Sequence, residues 1–186
     1  MILKENELIK VAKPYFEYCR AGDWNHALKV VKWVKILGSN RADISLIITA
    51  AYLHDIGWSG VIKKGLRDLD NILKFESKAN DNTPKYVKKV LEKLSVDENE
   101  IKIIIRLIKA ADNHTSQLND EEILVDADNL SKLCLSHLKE KYKPDSYIKV
   151  IKTWEEELPK RIKTMKGKEN WPSLLSNLKK ELRLTN

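Results

Sequence analysis

A small set of histidines and aspartates is the most informative pattern in this sequence. His54 and Asp55 stand side by side at the end of a long apolar segment. Charged side chains are rarely buried without a partner, so this pair requires other polar groups close to it in the fold. The candidate partners are His26 upstream, and His114 and Asp128 downstream. Imidazole nitrogens and carboxylate oxygens are common ligands of divalent ions, so we hypothesise that these residues converge on one divalent metal ion.

The helices predicted around His26 and His54 would bring the two rings to the same level. Asp23 is a good N-cap for a helix running to about Leu37, and a second helix is predicted from about Ala42 to Asp55. The turn between them is short, and the two histidines lie almost equally far from its centre. At about 1.5 Å of rise per residue, their heights in an antiparallel helix pair differ by only ~1–2 Å.

The helix dipoles at the ends of these two helices favour the binding of a cation by His26 and Asp55. His26 lies in the first turn of its helix, where the helix dipole favours the neutral, ligating imidazole. Asp55 lies at a helix C-terminus, where a carboxylate is disfavoured by about 0.3–1 kcal/mol. A cation beside Asp55 would reverse that penalty.

The rest of the chain is also predicted to be helical. Further helices are predicted over residues 5–20, 66–75, 84–94, about 96–112, 121–142, 146–165 and 172–183. Residues 74–83 are predicted to be a polar loop, and Ser95 with Glu98 has the spacing of a capping box. In the helix over 121–142, Asp128 flanks the core-facing stripe, whereas Asp126 shares a polar face with Glu122, so Asp128 is the better candidate ligand.

Composition predicts an all-α, single-domain protein of 186 residues. The longest apolar run is about ten residues, too short for a bilayer that needs about 20, and no secretion signal is recognised, so a cytoplasmic location is expected. The two cysteines are expected to be reduced thiols. Most of the net charge of +7 lies in residues 139–186, with 13 Lys and Arg against 7 Asp and Glu. These lysines are interpreted as a solvated helix face, and nucleic-acid binding is not favoured.

The order His26, His54-Asp55 and Asp128, the last within Asp126-Ala127-Asp128, resembles the HD superfamily of metal-dependent phosphohydrolases. The resemblance covers roughly residues 20–140. It implies a helical bundle of about eight to nine helices that holds Mn, Mg, Co, Ni, Fe or Zn and hydrolyses phosphomonoesters, phosphodiesters or nucleoside triphosphates. His114 fills the position of a further histidine found in many small relatives. Since no histidine lies between His54 and His114, a mononuclear site is expected.

The expected site residues follow from this resemblance and from the chemistry of phosphoryl transfer. His26, His54, Asp55 and Asp128 are the expected ligands of one divalent ion, and Asp55 and His114 the expected catalytic residues. Phosphoryl transfer also requires cations around the equatorial oxygens, and Lys63, Lys64 and Arg67 are the expected phosphate-binding groups. A general acid is left open among Asp68, Glu76 and Asp112, and His137 is interpreted as structural.

Two functions remain in competition at this point. The first is a hydrolase acting on a small phosphorylated substrate, a nucleotide being favoured. The alternative is a non-catalytic protein of the same fold that binds a nucleotide or has a regulatory role. A homodimer is left open.

Overall fold

A computed structural model describes residues 4–63, 67 and 69–184, without the side chain of Asn71, and these residues are all-helical, as the composition predicts. Nine α-helices are present in the described part of the chain, within the expected range. They are α1 (Glu5–Phe16), α2 (Asp23–Leu37), α3 (Ile44–Leu53), α4 (Leu69–Glu92), α5 (Glu98–Asp112), α6 (Asn119–Lys132), α7 (Leu135–Lys141), α8 (Tyr147–Arg161) and α9 (Met165–Glu181). A 3-10 turn, Ile56–Trp58, follows the His54-Asp55 pair.

The centre of the fold is a bundle in which α2 packs on α3 and α6, while α5 packs on the same two helices. The apolar stripes of these helices are buried, including Val30 of α2, Ile47 of α3, Ile104 of α5 and Leu124 of α6. Because α2 contacts both α3 and α6, polar residues at its inner face can meet residues from both neighbours. This packing positions the candidate ligands.

The predicted division of residues 66–94 into two helices and a polar loop over 74–83 is wrong. α4 runs without interruption from Leu69 to Glu92 and has Pro84 inside it. Its inner face packs on the 3-10 turn, where the Gly57 backbone lies against the Ala79 carbonyl and the Thr83 side chain. This contact buries Ala79 and Thr83, so tertiary packing maintains the helix through a segment that is polar on its outer side.

The predicted helix over 121–142 is also interrupted. α6 ends at Lys132, Leu133 and Cys134 leave the helical conformation, and α7 begins at Leu135. Leu130, Leu133 and Leu138 belong to a second cluster of buried apolar residues that is completed by α8 and α9. The interruption therefore lets the chain turn away from the central bundle and bury apolar side chains against the C-terminal helices.

Two predicted helix caps are displaced. The N-cap of α5 is Asp97, whose side chain accepts a hydrogen bond from the Asn99 backbone N–H at 2.8 Å, and not Ser95. The N-cap position of α2 is Gly22, with φ of 76°, one residue before Asp23. The Asp23 carboxylate instead accepts a hydrogen bond from the Arg20 backbone N–H at 2.8 Å.

Asp126 joins the second cluster to the central bundle. The side chain is fully buried, in contrast to the polar face predicted for it. Its carboxylate accepts hydrogen bonds from the backbone N–H of Lys163 at 3.0 Å and of Thr164 at 2.7 Å, and from the Thr164 hydroxyl at 2.6 Å. Gly167 lies so close that a Cβ there would be 2.5 Å from the carboxylate. Asp126 therefore fixes the start of α9 on α6.

We expect Asp126→Ala to lower the free energy of unfolding by about 3 kcal/mol, because buried backbone donors lose a charged acceptor. Urea unfolding measures this loss. The amount of Mn²⁺ bound per folded chain should stay at the wild-type value, since all three contacts of Asp126 are structural. Loss of bound Mn²⁺ from a folded Asp126→Ala protein would instead make Asp126 a ligand.

No helix among the described residues is both long and apolar enough to cross a membrane.

The two apolar clusters are in contact with each other through α2, because Trp33 and Leu37 pack against both. The organisation of residues 1–186 as a single domain stays a prediction.

Candidate metal centre

Three of the four expected ligands meet in the interior. His26 comes from the first turns of α2, His54 follows the last residue of α3, and Asp128 lies in the middle of α6. One ligand atom from each residue lies within 4.8 Å of the others, and all three side chains are buried. The two histidine ring centroids are 5.0 Å apart, so the two rings do lie at the same level.

The spacing of these atoms fits a shared cation. Asp128 Oδ1 lies 2.9 Å from His26 Nε2 and 3.8 Å from His54 Nε2. Two ligand atoms that each lie about 2.1 Å from one ion are separated by roughly 3.0–4.2 Å, so the 3.8 Å separation lies in this range and the 2.9 Å separation lies just below it. His54 Nε2 has no hydrogen-bond partner although it is buried. An uncompensated buried polar atom is costly, and an ion at this position would satisfy it.

Hydrogen bonds at the far side of each ring orient the ligand nitrogens. His54 Nδ1 lies 2.8 Å from the Ala51 carbonyl, which can only accept, so Nδ1 carries a proton and a ligand role falls to Nε2, which faces the cluster. The Ser131 hydroxyl donates to the Asp128 carbonyl at 2.7 Å, and its oxygen is 3.2 Å from His26 Nδ1. Since that hydroxyl hydrogen is used, Nδ1 of His26 must be the donor to it.

The neutral His26 ring therefore directs the lone pair of Nε2 at an oxygen of Asp128. Such an arrangement needs a positive charge between the two atoms, either a second proton on the ring or a cation. Burial, the largest effect, lowers the pKa of His26 and disfavours the second proton. Burial would raise the pKa of Asp128, but the charge of Lys132 is the main effect that holds it well below its usual range. The donor set thus fits a divalent cation.

Asp55 lies at the edge of this group and not within its three-residue core. Its Oδ2 is 3.6 Å from His54 Nε2 and has no hydrogen bond, while its Oδ1 accepts from the Arg20 guanidinium at 2.7 Å. Arg20 stacks on the Trp58 ring at 4.0 Å and also pairs with Asp23. One oxygen of Asp55 is therefore held by Arg20, and the other accepts no hydrogen bond and lies next to His54, with Lys141 Nζ 3.9 Å away.

A cavity of about 370 Å³ opens on this group of residues. The α4 side is formed by Leu69, Ile72, Leu73, Glu76 and Asn80, and the α8 side by Lys149, Val150, Thr153, Trp154 and Arg161. All four histidines of the chain line the cavity. Because α8 forms one wall, the C-terminal helices contribute to the site and are not an appendage of it.

Two further ionisable groups lie in the cavity wall near the end of α5. Burial, aided by the charges of Asp55 and Asp128, raises the pKa of Asp112 to about 8. Burial, followed by the charge of Lys132, lowers the pKa of His114 to about 4. His114 has φ of 52°, which is uncommon for a residue other than glycine, and its Nδ1 has no partner. Near neutral pH, Asp112 can donate a proton and His114 is uncharged.

Two of the three expected phosphate-binding residues lie away from this cavity. Lys63 and Arg67 are exposed and lie outside its lining, and Arg67 donates to the Lys139 carbonyl at 3.0 Å. Lys64 and Asp68 lie outside the described residues. Among the described residues, the basic side chains that line the cavity are Arg20, Lys132, Lys141, Lys149 and Arg161. The last three come from residues 139–186, where the sequence indicated only a basic surface.

His137 is a cavity residue that the sequence interpretation treated as structural. Its ring centroid lies 4.8 Å from that of His26, and its Nδ1 is buried without a partner. Burial holds the pKa of His137 well below its usual value, so the ring is neutral. The sequence did not indicate this position of His137, because it depends on the interruption at Leu133 and Cys134 that directs α7 towards α2. Helical periodicity does not reveal such an interruption.

Comparison with known proteins agrees with this geometry. A family model described as HD domain matches residues 23–160, which include the candidate ligands and nearly all of α8. Searches of curated proteins and of solved structures gave no match. The match extends beyond the roughly 20–140 expected from the sequence, consistent with the part that α8 plays in the cavity wall. The chain therefore belongs to the HD domain family, a helical family within the superfamily of metal-dependent phosphohydrolases.

Proposed function

We propose that this protein is a divalent-metal-dependent phosphohydrolase that acts on a small phosphorylated compound, a nucleotide in particular. The observation that carries the proposal is the shared cavity, which joins the His26, His54 and Asp128 group to five cationic side chains. A phosphoryl group needs positive charge around its oxygens when it is transferred. The cavity supplies that charge next to the candidate ligands.

Four side chains from three separate parts of the chain would hold the ion. His26, His54 and Asp128 would hold one divalent ion, and the free oxygen of Asp55 would complete the set. When bound, such an ion polarises a phosphoryl oxygen and lowers the pKa of a coordinated water. Arg20 keeps Asp55 in place through its 2.7 Å ion pair. The neutral His114 ring, whose Nδ1 has no hydrogen-bond partner, is available to bind the phosphoryl group.

Asp112 is the side chain that we assign as proton donor. Hydrolysis of a phosphoester breaks the bond to the leaving oxygen, and that oxygen must gain a proton. Asp112 lines the cavity and, with a pKa raised by burial to about 8, holds a proton at neutral pH. Of the three acids left open by the sequence, Glu76 also lines the cavity but is exposed, which favours Asp112.

The walls of the cavity support an aromatic or partly apolar leaving group. Trp58, Tyr142 and Trp154 line it together with the apolar side chains of α4. Aromatic faces bind nucleobases by stacking, and a cavity of about 370 Å³ lies within the usual range for small-molecule sites. This combination of a cationic, metal-binding end with aromatic walls favours a nucleotide.

A screen of nucleotides and simple phosphomonoesters and phosphodiesters, each with Mn²⁺, Mg²⁺, Co²⁺, Ni²⁺, Fe²⁺ or Zn²⁺, tests the proposal. Phosphate release that depends on the added ion is expected for at least one substrate. Absence of turnover with every ion, in protein shown to bind the ion, would count against a hydrolase.

The pH dependence of stability tests the assignment of Asp112. The pKa of this carboxyl is higher in the folded than in the unfolded protein, so its stabilising contribution is complete below pH ~4 and is lost as the pH rises towards 8. In metal-free protein, Asp112→Asn should therefore gain stability relative to the wild type between pH 5 and 8, by about 3.5 kcal/mol. Urea unfolding at both pH values measures the difference. An identical pH response of the two proteins would show that Asp112 is ionised in the folded state.

The second candidate function is a non-catalytic nucleotide-binding or regulatory protein. It is favoured by the ion pairs that already neutralise two candidate ligands, Asp55 with Arg20 and Asp128 with Lys132. Calorimetry would distinguish the two functions, because nucleotide binding without turnover in the ion-loaded protein supports the second.

A further inference from the structure

Lys132 stands one helical turn after Asp128 on α6, at the boundary between the candidate metal centre and the cavity. Its ammonium lies 2.6 Å from Asp128 Oδ2, while the other oxygen, Oδ1, faces His26 and His54. The Lys132 side chain is 17% exposed and lines the cavity. It can therefore contact both a ligand carboxylate and a molecule bound in the cavity.

The buried ionisable groups around the centre form ion pairs. Three carboxylates, Asp23, Asp55 and Asp128, face Arg20, Lys132 and Lys141, and burial lowers the pKa of Lys141 well below its usual value. Arg20 joins Asp23 to Asp55, Lys141 pairs with Asp23 and lies 3.9 Å from Asp55, and Lys132 pairs with Asp128. A divalent ion that enters this group adds two positive charges, and loss of the Lys141 proton would offset only one of them.

The other charged groups of the lining do not remove that excess. Glu76 is exposed, and Lys149 and Arg161 add positive charge at the α8 wall, partly compensated by Asp70 and Glu157 outside the lining. Asp112 remains as one carboxyl that can ionise. While Asp112 keeps its proton, the bound ion leaves an excess of positive charge in the group. An anion bound in the cavity would balance this excess.

We propose that a divalent ion and a phosphate dianion bind to this centre cooperatively, with Lys132 as the side chain that contacts both Asp128 and the phosphate. The inference rests on the proposed function for the presence of the ion. Once the ion shares the charge of Asp128, the Lys132 ammonium is left with excess positive charge in a largely buried site. Uncompensated charge is costly there, so the ion favours the anion, and by linkage the anion favours the ion.

Binding of Mn²⁺, with the free ion measured by electron paramagnetic resonance, tests this inference without any need for turnover. The full chain is titrated with Mn²⁺ alone and with saturating orthophosphate, after correction for the Mn²⁺–phosphate complex in the buffer. Orthophosphate should tighten Mn²⁺ binding by about 10-fold in the wild type. In Lys132→Met the effect should fall below about threefold, while Mn²⁺ alone should bind at least as tightly as to the wild type.

Two variants make the result specific. Lys132→Arg keeps the cation and should keep the cooperativity. Lys139→Met removes the same charge from an exposed position of α7 outside the lining and should behave as the wild type. If Lys132 only held Asp128 in place, Lys132→Met would bind Mn²⁺ alone more weakly and would retain the effect of orthophosphate. That result, or a wild type insensitive to orthophosphate, overturns the inference.

The Mn²⁺-binding experiment and the turnover screen test the two proposals separately. Cooperative binding without turnover of any substrate supports the inference and contradicts the hydrolase. Turnover in a protein whose Mn²⁺ affinity does not change with orthophosphate supports the hydrolase and contradicts the inference. A wild type that binds no Mn²⁺ under either condition contradicts both.

Discussion

His54→Ala is expected to abolish binding of the divalent ion and to lower metal-dependent phosphate release by about 1,000-fold or more, since it removes a ligand from the centre of the group. His54 Nε2 lies within reach of both Asp55 and Asp128 and has no other partner. Equilibrium dialysis with Mn²⁺ measures binding, and initial rates on a substrate found by the screen measure turnover.

Thermal unfolding with and without Mn²⁺ provides the internal control. A ligand at about 100 times its Kd stabilises the folded state by roughly 2.7 kcal/mol, which raises the Tm of a protein of this size by roughly 5–10 °C. We expect this shift in the wild type and its loss in His54→Ala. Without Mn²⁺ the variant should lose only about 2 kcal/mol, mainly from the hydrogen bond to Ala51 and the vacated volume. If Mn²⁺ raised the Tm of His54→Ala as much as that of the wild type, the ion would not be bound at the candidate centre.

Gly57→Ala is expected to lower the free energy of unfolding by about 3 kcal/mol and the Tm by roughly 6–12 °C. A methyl group at this position would overlap the Ala79 carbonyl oxygen and the Thr83 side chain of α4. The carbonyl belongs to the helix backbone and cannot rotate away, so α4 must shift or bend. Since α4 forms one wall of the cavity, substrate affinity should fall as well.

Gly60→Ala is the matched control for this effect. Gly60 has φ of 73°, and an added Cβ would have no neighbour within 4 Å. Its substitution should cost only the backbone strain of a left-handed residue, about 1 kcal/mol. If urea unfolding gives Gly57→Ala a cost no larger than that of Gly60→Ala, the close approach of α4 to the 3-10 turn is not as described.

The positions of His26 and His54 were predictable because they depend on local rules. Helical periodicity and a short turn define α2 and α3, and an antiparallel pair joined by a short turn places equidistant residues at one height. The same periodicity indicated that Asp128 flanks the core-facing stripe of α6 and therefore could meet the histidines. The HD resemblance, confirmed by the family match, rests on these same residues.

Features that depend on contacts between distant segments were not predictable in the same way. Residues 74–83 look like a loop by composition, but they are helical because Ala79 and Thr83 pack on the turn around Gly57. Asp126 looks solvent-facing by periodicity, but the chain returns at Lys163 and Thr164 and buries its carboxylate. Periodicity shows which side of a helix is polar, but not which segment will cover that side.

The sequence by itself determined the helical class, the pairing of α2 with α3, and the residues that could ligate a metal ion, since each of these follows from short-range spacing and residue chemistry. Only the tertiary structure decided which cations line the cavity. The interruption after Lys132 brings His137 and Lys141 of α7 to the centre, and the packing of α8 adds Lys149 and Arg161. The physical reason is that side chains more than a hundred residues apart meet through the burial of apolar surface, which the order of the charged residues does not record.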